Sequence, residues 1–252
     1  MSDTADTTML DTVDTAAEAE ELTPAELAAE CEARAATYAL LSRLYDLEVD
    51  EKYLNALKEM LYPVESGNEL MNEGHYHIAK YLSNSWVEPL TDLSVDYGRT
   101  FLGSGIDTYA AAYPFESVYT SERRLLMADA RDEVLAIYRA NGLDKSDKWT
   151  VGEDHISVEL EFMRILCLRA ARALSEGDMD RAYRLLKTQQ GFLEQHICVW
   201  TPVFTADIRR FSNTSFYQGI AELTDGFLQT ETDLLASLVG DDSEDADAEA
   251  EA

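Results

Sequence analysis

Apolar residues recur every three or four positions along most of the chain, which places them on one face of an α-helix. This spacing predicts helices over about 24–45, 50–61, 68–82, 87–102, 121–141, 155–177, 178–200, 202–211 and 214–238. No segment alternates apolar and polar residues for long enough to predict a strand, and no internal repeat is present. The pattern therefore predicts an all-α fold, a single globular domain of about eight or nine helices.

Several helix ends carry local sequence signals. Thr23, Pro24 and Glu26 have the spacing of a capping box with proline in the first helical position. Asp154 is a good N-cap residue, and in that role it would leave His155 in the first turn of the following helix. The pair Thr201-Pro202 predicts a break between two helices, because proline disfavours a helical conformation in the residue before it.

One long segment has no helical period. It begins at Gly103, contains many small residues up to Pro114 and continues to Thr120. Its aromatic content argues against disorder. Irregular segments of this length in compact domains are usually functional or disordered, so we expect this one to contribute to a binding site.

Negative charge is concentrated at both ends of the chain. The net charge is −29, and residues 1–22 and 241–252 each contain seven acidic residues and no lysine or arginine. We expect 1–22 and 240–252 to be disordered tails around a helical domain at 23–239. The body keeps a charge of −15 without these 14 acids, which would repel nucleic acid and anionic lipid and attract a basic partner. The alternative is that the acidic surface serves only solubility.

The remaining composition favours a reducing compartment. The three cysteines, Cys31, Cys167 and Cys198, lie far apart and form no CxxC pattern. No charged-then-apolar leader opens the sequence, and no apolar run approaches the ~20 residues of a membrane span. These features predict a cytoplasmic protein without stable membrane insertion.

Motifs of catalysis are scarce. The sequence has no GxGxxG, GxxxxGK[ST], GxSxG or HExxH motif, and only four histidines. One alternative function is a helical metal-binding enzyme that uses His155, Glu159 and His196. Another is a small-ligand or nucleotide sensor built on the loop 103–114, although that loop has no basic residue to hold phosphate.

Three motifs, in this order, resemble those of the TorD/DmsD/NarJ chaperones of molybdenum-containing redox enzymes, with the TorD/DmsD branch the closest. The first is DYGRTFLG at 96–103, and the second is YPFESVYTSERR at 113–124. The third and most specific is EDHISVELEFM at 153–163. The similarity spans about residues 33–238. This chain has Val151-Gly152 where family members usually have Glu-Pro, which removes one acid and puts the rigidity of the loop before His155 in question.

The resemblance implies an all-helical cytoplasmic chaperone and not an enzyme, with no cofactor of its own. Its partners would be the catalytic subunit of a molybdopterin oxidoreductase and the N-terminal twin-arginine leader of that subunit. The chaperone would hold the cofactor-free client, assist cofactor insertion and delay export until the client is folded. In this family a homodimer formed by helix exchange is also plausible.

The three motifs supply the candidate residues of the client site. We expect the apolar helix of the leader to enter a groove lined by Tyr97, Phe101, Phe115 and Tyr119. Carboxylates at the rim would receive the arginine guanidinium groups, with Asp154 the first candidate. The alternative is that the aromatic pair is core and that Asp154 only caps its helix. The full candidate set is Tyr97, Phe101, Pro114, Phe115, Ser117, Tyr119, Glu153, Asp154, His155 and Glu159.

Overall fold

The computed structural model describes residues 22–84, 88–103, 111–121, 129–146 and 149–240. Ten α-helical segments lie in this part of the chain. They are α1 (Pro24–Asp46), α2 (Glu51–Glu59), α3 (Glu69–Leu82), α4 (Pro89–Phe101), α5 (Glu116–Thr120), α6 (Asp129–Ala140), α7 (Ile156–Glu176), α8 (Met179–Phe192), α9 (Cys198–Phe211) and α10 (Ser215–Val239).

The predicted all-α fold is confirmed. A π-helical turn, Leu193–Ile197, joins α8 to α9 without a break, so the described residues form nine helical rods in one domain. They contain no β-strand, only an isolated antiparallel bridge between Phe115 and His155. None of the described helices combines the length and the apolar character needed to cross a membrane.

The expected break at Pro202 is wrong. Pro202 lies inside α9, between the buried side chains Trp200 and Phe204. A proline ring costs one backbone hydrogen bond in a helix. Here the burial of the flanking aromatic side chains outweighs that local cost, so the rod continues past the proline to Phe211.

Side-chain caps set most of the other helix ends. The predicted capping box of α1 forms, with Glu26 N–H donating to Thr23 Oγ1 and Thr23 N–H donating to Glu26. Asp50 caps α2, and Gly177 ends α7 in a left-handed conformation with φ of 78°. Ser121, the predicted start of a helix, is the C-cap of α5 with an extended backbone, and residues 122–128 after it lie outside the described residues. Both predicted tails also lie outside them, apart from Leu22 at one end and Gly240 at the other.

Two long helix pairs build the core. α1 packs along α7, and α3 packs along α10. A fully buried ion pair ties the first helix to the last, because Arg34 donates to both carboxylate oxygens of Glu231 at 2.7 Å. Tyr38 donates to the same carboxylate at 2.7 Å, and Arg34 also donates to Gln189 at 2.8 Å. The buried guanidinium is thus compensated by a carboxylate and an amide oxygen, as a charge in a protein core must be.

Candidate functional site

The second and third motifs meet in the structure. The chain at Pro114–Glu116 runs antiparallel to Asp154–Ile156, and two backbone hydrogen bonds of 2.9 Å join them. One runs from Glu116 N–H to the Asp154 carbonyl, and the other from Ile156 N–H to the Pro114 carbonyl. The rings of Phe115 and His155 pack edge to face with centroids 4.8 Å apart. Motifs separated by some 40 residues therefore form one local unit.

Asp154 does not cap its own helix, contrary to the expectation from sequence. Its Oδ2 accepts a hydrogen bond from the Ser117 backbone N–H at 3.2 Å, so it caps the short helix α5 instead. The N-cap of α7 is His155, whose Nδ1 accepts from the Ser157 N–H at 3.1 Å. Burial lowers the pKa of His155 to about 3, so the imidazole is neutral near neutral pH and its Nδ1 can accept.

Hydrogen bonds from α6 and from the residues that follow α6 hold the loop before His155 in place. Tyr138 donates its hydroxyl hydrogen bond to the Glu153 carbonyl at 3.1 Å, and the Lys145 ammonium donates to the Val151 carbonyl. A Cβ atom added at Gly152 would lie 3.0 Å from Asp154 Oδ1 and 3.5 Å from the Phe115 ring. The small residue at 152 therefore leaves room for the carboxylate that caps α5.

Behind this unit lies a buried acidic cluster formed by Glu116, Asp154 and Glu159. Burial raises the pKa of Glu159 well above its usual value, and the charges of Glu116 and Asp154 raise it further. Both Glu116 oxygens lie 3.2 Å from His196 Nδ1.

Several polar atoms around the cluster make no hydrogen bond of normal geometry to any other described residue. They are Ser117 Oγ, Asp154 Oδ1, both carboxylate oxygens of Glu159 and Trp200 Nε1. Ordered water commonly satisfies buried groups of this kind. The arrangement is a proton-holding cluster in the interior rather than an open acid–base site.

Two residues of the predicted groove belong to the core. Tyr97 and Phe101 are buried, with ring centroids 5.1 Å apart, and Phe101 also packs against Tyr217. Tyr119 is partly buried and stacks on Trp200 at 5.4 Å. In this conformation the aromatic pair on α4 packs in the core and lines no open surface.

Of the three carboxylates predicted for the client site, Glu153, Asp154 and Glu159, Glu153 is the most exposed. Arg131 Nε donates to its Oε2 at 2.5 Å, and Lys145 Nζ lies 3.3 Å from its Oε1. These contacts lower the pKa of Glu153, with the Arg131 hydrogen bond the largest cause. Neither basic partner could be identified from the sequence, because both lie on other elements and at no characteristic spacing from Glu153.

The proposed metal ligands do not form a metal centre here. Within the described ranges, no group of three or more His, Cys, Asp or Glu side chains could hold a metal ion. His155 faces Ser157 and Phe115, whereas His196 faces Glu116. The loop proposed for a nucleotide sensor lies largely outside the described residues.

Comparison with known proteins identifies the class. The model of the nitrate reductase delta subunit family matches residues 65–206, more than half of the chain, and the chain belongs to this family. TorD chaperones of Vibrio parahaemolyticus and Shewanella pealeana are 26% and 23% identical to it. The first alignment covers 80% of this chain and 94% of the relative, and the second covers 81% and 90%.

A third relative has a more specific name. The perchlorate reductase assembly chaperone protein of Dechloromonas aromatica is 32% identical over 47% of this chain and 50% of its own. The protein is a TorD-type chaperone of molybdoenzyme assembly and not an enzyme, which confirms the class predicted from the three motifs.

Proposed function

We propose that this chaperone binds the twin-arginine leader and the cofactor-free form of a molybdopterin-dependent oxidoreductase in the cytoplasm. It assists cofactor insertion and delays export until the client has folded. The observation that carries this proposal is the family match, because residues 65–206 include all three motifs. A reductase as client also agrees with the name of the Dechloromonas aromatica relative, a perchlorate reductase assembly chaperone.

The contacts of Glu153 support recognition of arginine at this site. A guanidinium group, that of Arg131, already binds the Glu153 carboxylate from the protein's own chain. A client arginine could make the same charge-assisted contact from outside. Asp154 is only 1% exposed and is occupied in capping α5, so we assign direct contact to Glu153.

The other motif residues would then hold this carboxylate in place. Asp154, His155, Ser117 and Pro114 join α5 to the start of α7, and Glu153 directly precedes that junction. Phe115 packs on His155, while Tyr119 and Glu159 face the interior. In this proposal these residues position the leader-binding surface, and a direct leader contact by any of them would require α5 to move.

Capture of the client tests the proposal. The tagged chaperone should retain the apo catalytic subunit of its client from a cofactor-deficient cell, and it should bind the isolated leader peptide with micromolar or better affinity. A leader in which glutamine replaces both arginines is the matched control and should bind more weakly. Equal capture of the subunit with and without its leader would contradict leader recognition. Size-exclusion chromatography of the same samples would test the predicted homodimer.

A further inference from the structure

Next to Glu153 the structure contains an apolar cleft that none of the three motifs identifies. It has a volume of about 160 Å³ and lies between the α6–α7 connection and the outer face of α7. Its apolar walls come from Leu143, Trp149, Val158, Phe162 and Ile165. Leu143, Trp149 and Ile165 are only partly buried, so the cleft is reached from the surface.

Two residues that line the cleft also contact Glu153, one at its carboxylate and one at its backbone carbonyl. Lys145 lines the cleft, and its ammonium group lies 3.3 Å from Glu153 Oε1. Tyr138 also lines the cleft, and its hydroxyl donates to the Glu153 carbonyl at 3.1 Å. An apolar cavity and a carboxylate that holds a guanidinium are therefore neighbours on one surface.

The dimensions and charges of this surface indicate what it binds. A cavity of about 150 Å³ with apolar walls accepts a molecule the size of benzene, so this one can hold one aromatic or branched aliphatic side chain. Asp144 and Glu161 also line the cleft, but Lys145 lies beside them and Arg164 donates to both Glu161 carboxylate oxygens at 2.6 Å. The charge that selects a partner is therefore that of the neighbouring Glu153, and a segment with a large apolar side chain close to an arginine matches the cavity and this carboxylate together.

We propose that the Trp149 cleft, lined by Leu143, Trp149, Val158, Phe162 and Ile165, binds a large apolar side chain of the client leader while a leader arginine displaces Arg131 from Glu153. The proposal rests on the proposed function and names the place where the leader docks. The apolar part of the leader is thus assigned to this cleft, which is reached from the surface, and not to Tyr97 and Phe101, which are buried. Arg131 then acts as an internal substitute for the client arginine.

Peptide titration of three proteins tests the cleft. The probe is a synthetic peptide with an Arg-Arg pair followed by a Leu/Phe-containing helix, titrated against wild type, Ile165→Glu and Val199→Glu. Val199 is 56% exposed on α9, so its substitution adds the same charge elsewhere. Ile165→Glu should weaken binding about ten-fold or more, as loss of an anchor pocket does, and Val199→Glu should match wild type. Trp149→Ala removes one wall from the loop without altering α7 and should also weaken binding.

Each result of this titration decides something. If all proteins bind the peptide equally, the cleft is not the binding site, although leader recognition itself is still supported. If wild type does not bind the peptide, both the cleft proposal and the proposed leader recognition are wrong. If Ile165→Glu instead changes the oligomeric state without peptide, the cleft is a self-association surface and the proposal is wrong. Circular dichroism identifies any variant that fails to fold. If Ile165→Glu does not fold, peptide binding by Trp149→Ala tests the cleft instead.

Displacement of Arg131 has its own test with the same peptide. Arg131→Gln removes the internal competitor and should bind the peptide several-fold more tightly than wild type. Arg172→Gln is the matched control, because Arg172 is largely exposed and also pairs with a glutamate, Glu176, at 2.7 Å, and neither residue lines the cleft. Equal gains in both variants would show a general charge effect and would overturn the displacement.

Discussion

The Glu159 carboxyl group lies fully buried beside Glu116 and Asp154, and its proton therefore stays bound at pH values where an exposed glutamate is ionised. In the unfolded chain the same group releases its proton near its usual pKa of 4.5. Above that pH the folded state holds more protons than the unfolded state, so rising pH lowers the free energy of unfolding until the folded-state pKa is passed. Glu159 thus favours folding most at acid pH.

We predict that Glu159→Gln stabilises the protein at neutral pH. Glutamine keeps the shape, carries no ionisable proton and can donate its amide hydrogens to the neighbouring Glu116 carboxylate. The gain at pH 8 should be about 1–3 kcal/mol, the scale of a buried unsatisfied polar group, and it should shrink towards pH 4.5. Urea unfolding of both proteins across this pH range measures the difference. A difference that does not change with pH would show that Glu159 does not hold its proton in the fold.

Two glycines set the distance between α3 and α10. A Cβ atom at Gly74 would lie 2.6 Å from the Gly219 carbonyl oxygen and the Leu223 backbone nitrogen, and one at Gly219 would lie 2.8 Å from the Gly74 carbonyl oxygen. The obstructing atoms belong to the backbone, so relief requires the two helices to move apart. The helices can pack this closely only because both positions lack a side chain.

We predict that Gly74→Ala destabilises the fold by about 1–3 kcal/mol, the usual cost of an overpacked core. The cost should appear although alanine favours a helix by about 1 kcal/mol over glycine. Gly191→Ala is the control, because Gly191 lies in α8 and no atom approaches its added Cβ within 4 Å. Thermal unfolding should show a lower midpoint for the first variant and an unchanged or higher one for the second. An unchanged midpoint for Gly74→Ala would mean that the helices separate at little cost.

Some helix ends are set by local sequence and could be predicted, whereas others are set by contacts across the fold. A capping box such as that of Thr23 and Glu26 acts on residues within one turn, so it located the start of α1. The continuation of α9 past Pro202 and the capping of α5 by Asp154 depend on packing and on a hydrogen bond across the fold. Local spacing contains neither piece of information.

For the candidate site too, local spacing predicts only part of the arrangement, because it contains no information on packing between distant segments. Motif order indicated that the segments 113–124 and 153–163 act together, and their pairing through Pro114 and Ile156 agrees with that. The helical spacing of Tyr97 and Phe101 is the same for a core stripe as for a groove, and only the structure shows that both are buried. Trp149 lies in a connection without periodicity, so the cleft that it helps to form could not be predicted from the pattern.

At the scale of the whole molecule, the proposed recognition of a basic leader depends on charge. The chain has a net charge of −29, so its field would attract such a leader before any contact forms. Such attraction acts mainly on the association rate, whereas the apolar contacts of the bound state act mainly on the dissociation rate. The two contributions can therefore be separated by salt.

We predict that salt weakens leader binding mainly by slowing association. Raising NaCl from about 0.1 M to about 1 M shortens the screening length from about 10 Å to about 3 Å, which removes most of the attraction between exposed charges. Surface plasmon resonance with the immobilised chaperone should show a large fall in the association rate and a smaller change in the dissociation rate. The leader with glutamine in place of both arginines should lose most of this salt dependence. If the wild-type leader binds equally well at both salt concentrations, apolar contacts alone select the client and the acidic surface has no part in recognition.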